Sequence, residues 1–352
     1  MIDGLGPHRL NTLVKTFGSA QKAWFAPEHD LLSLPKFPRK IIKDIVEKRN
    51  RLDPQEEIEK LHQAGIKIVF ADEPEYPPRL LEIFDPPGIL YARGLPEVLK
   101  KPMFAVVGAR RASYYGLTVA TRIARELAEA GLCVVSGMAR GIDSAAHRGA
   151  LEAGLPTAAV LGCGVDVVYP KENKKVMDEI ITKGIVISEF PPGVKPVAGN
   201  FPQRNRIISG LAEGVLVIEA AAQSGSLITA DFALEQGRDV FAVPGQVTNR
   251  LNRGAHGLIK QGAKLVEEAG DILEELGHQV VLRPPSPGNE KKSLTQNEKK
   301  VYNIILDNPV NSETIIDKTG LKSSEVLSVL LVMEMKGLVK QLPGQRYVRT
   351  LL

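Results

Sequence analysis

Met103–Ser136, MFAVVGARRASYYGLTVATRIARELAEAGLCVVS, reads as strand, glycine turn, helix, strand. Met103–Val107 is unbroken apolar, Thr118–Ala130 carries apolar residues at helical spacing, and Cys133–Ser136 is apolar again. Strands without alternation must be covered on both faces, and a helix between two of them sets them parallel. The same rhythm continues downstream. Thr157–Leu161, Ile185–Ile187, Val215–Ile218, Val240–Val243 and Lys264–Val266 read as strands; Ser144–Ala153, Lys171–Thr182, Thr229–Gln236 and Ala255–Gln261 read as helices. The expected fold class is α/β, with a doubly wound, mostly parallel sheet.

Around this core the chain changes character. The first 50 residues are short helical pieces punctuated by Gly4–Pro7, Pro35 and Pro38. Leu10, Leu13, Val14 and Phe17, then Ile41, Ile42 and Ile45, supply apolar stripes. The Gly-Leu-Gly-Pro turn hints at a helix-hairpin-helix, but no helix precedes it, and a purely structural helical module is the favoured reading. Arg51–Ala64 reads as a polar helix before a first strand, Ile66–Phe70, and Ile89–Ala92 as another. Near residue 284 the composition turns to Pro, Ser and Gly, which marks a linker. The last 60 residues offer three helices and a hairpin turning at Pro343-Gly344, the pattern of a winged helix. The expected division is 1–60 N-terminal helical module, 61–280 core, 281–292 linker and 293–352 winged helix.

A net charge of +4 and a pI near 8.9 permit a nucleic-acid partner without demanding one. Aromatic content of 5% leaves few residues for base stacking. Cys133 and Cys163 lie far apart in apolar segments, which favours buried thiols over a disulfide or a metal site. No apolar run is long enough to span a bilayer, and no charged-then-apolar leader opens the chain, so a cytoplasmic protein is expected.

In a parallel sheet the loops after successive strands share one edge, where ligands bind. Here they carry Gly108-Ala109-Arg110-Arg111, Gly137 with Arg140, Gly162 leading to Lys171, the Arg204-Asn205-Arg206 loop, and Ser224-Gly225-Ser226 at a helix start. Lys171, Lys174 and Lys175 fall on one helix face. Arginines beside free helix-end amides suit phosphate. Singly, each glycine reads as a turn, each serine as a cap and each arginine as a solvated charge; their repetition on one edge points to several phosphates, hence a polymer. Asp143, Asp166, Glu189 and Glu219 could supply a base or metal ligands, although a cap or an ion pair is the favoured role for each. No GxGxxG follows the first strand and no GxxxxGK[ST] occurs, which excludes common dinucleotide and P-loop sites. The third helix of the winged helix, Ser323–Lys336, is poor in cations, which suits protein contacts or weak binding better than duplex reading.

VVGAR (Val106–Arg110), SGMARGID (Ser136–Asp143), LGCGVDVVYPKEN (Leu161–Asn173), FPQRNRIISGL (Phe201–Leu211), EAAAQSGSLITA (Glu219–Ala230) and GRDVFAVPG (Gly237–Gly245) together resemble the DNA-processing protein A (DprA/Smf) family. The resemblance runs from about Ile66 to Val266 and extends to both flanking modules. It implies an extended Rossmann-like core, an N-terminal module like a SAM or helix-hairpin-helix domain, and a C-terminal winged helix. It further implies a homodimer that binds single-stranded DNA, protects it during natural transformation and loads the RecA recombinase, with no catalytic activity and no cofactor. The DNA-binding residues so implied or read are Gly108, Arg110, Gly137, Arg140, Gly162, Lys171, Lys174, Arg204, Asn205, Arg206, Gly225 and Ser226. Ala109 stands where the family usually has Ser. Dimer contacts are expected at Leu258, Ile259 and Leu265, the plainer alternative being packing of a helix onto its own sheet. The rival function is a nucleotide-processing enzyme in the same cleft, but Gln223–Leu227 lacks the PGGxGT turn of phosphoribohydrolases. A third reading is a transcription regulator acting through the winged helix.

Overall fold

The computed structural model describes Leu5 and residues 7–35, 37–278, 294–305 and 309–350. Four helices open the chain: α1 (Pro7–Phe17), α2 (Ala20–Phe25), α3 (Glu28–Leu32) and α4 (Arg39–Arg49). They close over Leu13, Ile41, Ile42 and Ile45 of the stripes visible in the sequence, joined by Leu31. Gly4 and Gly6 of the Gly4–Pro7 turn lie outside the described residues, as does the 281–292 linker. α5 (Pro54–Gln63), capped by Asp53, leads into β1 (Lys67–Phe70), α6 (Pro78–Leu81) and β2 (Ile89–Gly94).

The core then alternates: β3 (Met103–Val107), α7 (Tyr114–Glu129), β4 (Cys133–Ser136), α8 (Ile142–Glu152), β5 (Thr157–Val160), α9 (Lys174–Lys183), β6 (Ile185–Ser188), α10 (Asn200–Leu211), β7 (Gly214–Val217), α11 (Gly225–Glu235), β8 (Asp239–Ala242), α12 (Arg253–Lys260), β9 (Lys264–Leu265) and α13 (Ala269–Glu275). Among the described residues nine strands form one sheet, ordered β1-β2-β6-β5-β4-β3-β7-β8-β9. Strands β3 to β9 pair in parallel, while β2 runs antiparallel to β6 and β1 to β2. One face buries Val107, Val135 and Val217 with Ile207 and Ile208 of α10; the other buries Phe104 and Val106 with Ile123 and Leu127 of α7. Both faces are therefore covered, which is why these strands read as continuous apolar runs.

The order places a switch point between β3 and β7. From β3 the chain winds outward through β4, β5 and β6, then α10 carries it back to β7 on the other side of β3. Loops diverge at such a point and leave a crevice beyond the strand ends. Three expectations change. Asn200–Leu211, read as a polar loop, is a helix: Pro202 sits in its first turn, where a missing N–H costs nothing, and Ile207, Ile208 and Leu211 anchor it on the sheet. The helix expected from Lys171 begins as a 3₁₀ turn, Lys171–Asn173, before α9. Of the three expected dimer contacts, Leu258 is buried in the chain's own core and Ile259 packs against it, while Leu265 on edge strand β9 is exposed.

The C-terminal unit comprises α14 (Gln296–Ile304), β10 (Val310–Asn311), α15 (Ser312–Thr319), α16 (Ser323–Met335), β11 (Val339–Leu342) and β12 (Arg346–Arg349), with sheet order β10-β12-β11. Thr295 and Glu298 form a capping box at α14. Val301, Ile315, Val326, Leu330 and Met333 fill its core. Three helices and a small sheet ending in a hairpin are a winged helix.

Candidate functional site

At the β3–β7 switch point lies a cleft of about 670 Å³. The turn after β3 supplies Gly108, Ala109, Arg110 and Arg111; α10 supplies Phe201, Arg204 and Asn205; the start of α11 supplies Ser224, Gly225 and Ser226. The turn after β4 is held close by Gly141, whose φ of +77° is strained for any other residue and whose added Cβ would lie 2.2 Å from the Ala109 carbonyl oxygen.

Arg110 and Arg111 are exposed on this rim and make no hydrogen bond or ion pair among the described residues. The Arg110 guanidinium lies 5.3 Å from the centroid of the Phe201 ring, and Phe201 lies 5.5 Å from Tyr169 at an interplanar angle of 32°. A free cation and two aromatic faces thus stand side by side. Beneath the platform, a smaller cavity of about 60 Å³ is bordered by Gly137, Arg140, Gly162 and Arg204. Gly162 meets Phe201 so closely that an added Cβ would sit 3.0 Å from its ring.

The three polar residues of α10 divide. Asn205 faces the cleft and donates from Nδ2 to the Gly225 carbonyl at 3.2 Å, joining α10 to the start of α11. Arg204 turns inward: it is 4% exposed and donates from Nη1 to the carbonyls of Gly137, at 2.6 Å, and Val160. Its guanidinium lies flat against Gly137, where an added Cβ would meet Nη2 at 2.5 Å. Burial pushes the Arg204 pKa down to about 10, against the pull of Asp143, so it stays charged at neutral pH. Burial likewise raises the Asp143 carboxyl, opposed by Arg204 and by the Ala139 amide donating at 3.2 Å. Arg206 points elsewhere, to Glu189 at 2.7 Å and Asp85 at 3.8 Å, beside a separate cavity bordered by Phe84 and Phe232. Arg204 and Arg206 are thus not rim cations. In a loop both could project outward; on a helix, neighbours two apart point to opposite sides.

The other expected residues are spread more widely. Gly225 and Ser226 open α11, where the capping Ser224 Oγ lies 2.8 Å from Ser226 Oγ. Arg140 is exposed and paired with Glu172, and Lys174 with Asp178 at 2.8 Å. Lys171 is exposed beyond the cleft lining. Glu219 is fully buried, accepting from Ser113 N at 2.8 Å and Ser113 Oγ at 2.5 Å. Asp166 accepts from the Gly193 amide at 2.9 Å. Hydrogen bonds from Ser113 and Gly193, rather than the expected helix caps or ion pairs, thus occupy these two carboxylates. Sequence reading missed Phe201 and Tyr169 as a platform; the signal available was an aromatic at the start of each basic strand-end segment, YPKEN and FPQRN. It also missed Asn173, whose Nδ2 donates to the Met138 carbonyl and Ser144 Oγ, both at 2.8 Å, and ties two strand-end loops together. Among the described residues no cluster of three His, Cys, Asp or Glu could hold a metal, and no helix is long and apolar enough to cross a membrane.

A family model described as DNA recombination-mediator protein A matches residues 67–277, and one described as DprA winged helix domain matches residues 284–345. Protein Smf of Synechocystis sp. is 34% identical, over 99% of this chain and 96% of its own length. The X-ray structure of DNA processing protein A from Streptococcus pneumoniae is 38% identical and covers 78% of this chain and 94% of its own, with a TM-score of 0.69. DNA processing protein A from Helicobacter pylori, whose structure addresses its single-stranded DNA binding mode, is 30% identical, covering 60% of this chain and 95% of its own with a TM-score of 0.55. With one family model spanning most of the sheet and a relative matching nearly end to end, this chain belongs to the DNA recombination-mediator protein A (DprA/Smf) family.

Proposed function

We propose that this protein binds single-stranded DNA in the cleft at the β3–β7 switch point and hands it to the RecA recombinase during DNA processing in natural transformation. The observation that carries the reading is Arg110, an exposed cation stacked 5.3 Å above Phe201 at the mouth of a glycine-lined crevice. Arg110 and Arg111 attract the phosphate backbone, the amides opening α11 donate to a phosphate oxygen, and Phe201 with Tyr169 offer base-stacking faces. Every base has a π-face and every nucleotide a phosphate, so such a site holds a strand with little sequence preference. The Helicobacter pylori relative, studied for its single-stranded DNA binding mode, supports this choice of ligand.

In this reading the protein is cytoplasmic and acts without chemistry of its own. Glu219, the acid that precedes the place of a phosphoribohydrolase turn, is enclosed by Ser113 and absent from the cleft lining, which disfavours the enzyme alternative. The units are a helical module over 1–60, a core over 61–280, a linker over 281–292 and a winged helix over 293–352. A homodimer built around exposed Leu265 on edge strand β9 would present two clefts to one strand and gain avidity. The test is fluorescence anisotropy with labelled dT and duplex oligonucleotides. Phe201→Ala should lose about 1–3 kcal/mol of single-strand affinity with duplex binding little changed; equal loss on both, or none, would contradict the site.

A further inference from the structure

The loop that follows β8 closes one side of the cleft. Its 3₁₀ turn, Arg250–Asn252, is capped by Asn249, whose Oδ1 accepts from the Leu251 amide at 3.0 Å, and Leu251 lines the cleft. The loop is pinned from several directions. Asn252 is buried and donates from Nδ2 to the Gln246 carbonyl at 3.2 Å. Tyr115 of α7 donates from its hydroxyl to the Pro244 carbonyl at 3.2 Å. The Gly254 amide donates to the Ala220 carbonyl at 2.7 Å. An added Cβ at Gly254 would lie 2.8 Å from the carbonyl oxygens of both Ala220 and Ala221, and Ala221 is itself a cleft residue.

This pinned loop carries two unmatched cations. Arg250 and Arg253 are exposed, and among the described residues neither guanidinium makes a hydrogen bond or an ion pair. No Asp or Glu occurs in the sequence between Asp239 and Glu267, so the segment itself holds nothing to offset them. The far side of the cleft mixes free lysines with cations already paired, Arg140 to Glu172 and Lys174 to Asp178. Strands β3, β7 and β8 are neighbours in that order, so the turns beyond them follow in the same order. Arg110 and Arg111 stand beyond β3, the start of α11 beyond β7, and Arg250 and Arg253 beyond β8. Two strand spacings are about 10 Å, a span that neighbouring nucleotides of one strand cover.

We propose that single-stranded DNA longer than the cleft leaves it past Leu251 on the β8 side, with Arg250 and Arg253 each holding one backbone phosphate. The inference rests on the reading of the cleft as a single-strand site, and adds to it a direction of exit and two contacts. A polyanion is the ligand that suits a row of unpaired cations continuous with the rim. The test is salt-titrated anisotropy on the full chain, with labelled dT oligonucleotides graded from about 4 to about 16 nucleotides. Arg250→Ala/Arg253→Ala should bind the shortest like the parent and the longest more weakly, its slope on the longest reduced by about 0.7 per phosphate, about 1.4 for the pair. Lys100→Ala/Lys183→Ala removes the same charge from exposed positions at the opposite edge of the sheet, before β3 and β6, and should change neither. Arg110→Ala reports on the cleft and should weaken every length. Loss in Arg110→Ala with none in the Arg250/Arg253 variant would overturn the exit path and leave the cleft standing. Equal loss at all lengths in the Arg250/Arg253 variant, or a matching loss in the Lys100/Lys183 variant, would also overturn it. No effect of Arg110→Ala at any length would remove the cleft reading and the exit path together.

Discussion

Arg204 and Arg206 differ by about 200° of helical rotation, and that angle decides what each can do. Arg204 spends its charge on two backbone carbonyls beneath the cleft; Arg206 spends its on Glu189. Arg204→Met should destabilise the core by about 3 kcal/mol, because it orphans buried carbonyls and strips Asp143 of its cation. Urea unfolding checks this; full stability with a lowered DNA salt slope would instead make Arg204 a phosphate ligand. His147 gives a pH prediction. It is fully buried with Nδ1 2.8 Å from Thr157 Oγ1, and burial pushes its pKa from 6.5 down to about 3. The folded state then binds fewer protons than the unfolded one, so its stabilising contribution is present above pH 6.5 and falls by about 1.4 kcal/mol per unit as pH drops toward the folded pKa. His147→Gln should flatten that slope in core unfolding between pH 6.5 and 5. At this scale the glycines and Arg110 were legible because a strand end in a parallel sheet has one address. The direction of Arg204 was not, because it depends on whether its segment is loop or helix.

Among the elements, α10 departs furthest from its reading, a helix where a loop was expected. Its opening Gly199-Asn200-Phe201-Pro202 looks like a turn, and its apolar anchors Ile207, Ile208 and Leu211 come only in its second half. The strands were legible because burial on both faces leaves no alternation to blur. In the winged helix, Glu298 of α14 accepts from Lys336 Nζ at 2.5 Å, at the far end of α16. That bond is the largest cause holding the Glu298 carboxyl below its usual value of 4.5. A depressed carboxylate stabilises above the unfolded pKa and loses that contribution as pH falls through the folded one. The winged helix should therefore weaken below about pH 4.5, and Glu298→Gln should be less stable at pH 7 while losing less on acidification. Calorimetry at pH 7 and pH 4 distinguishes the two; an unchanged acid response in the variant would contradict the role of this pair.

For the whole molecule, the central claim is a polymer site in which Arg110 is a free rim cation and Arg206, held by Glu189, is not. Counterion release makes this countable, since each phosphate neutralised on a single strand adds about 0.7 to the slope of log affinity against log salt. The decisive measurement is that slope for a labelled dT oligonucleotide with the full chain, Arg110→Ala and Arg206→Ala. The account predicts weaker binding and a slope reduced by about 0.7 per cleft engaged for Arg110→Ala, with Arg206→Ala keeping the parent slope. An unchanged slope in Arg110→Ala, or an equal reduction in both variants, would contradict it.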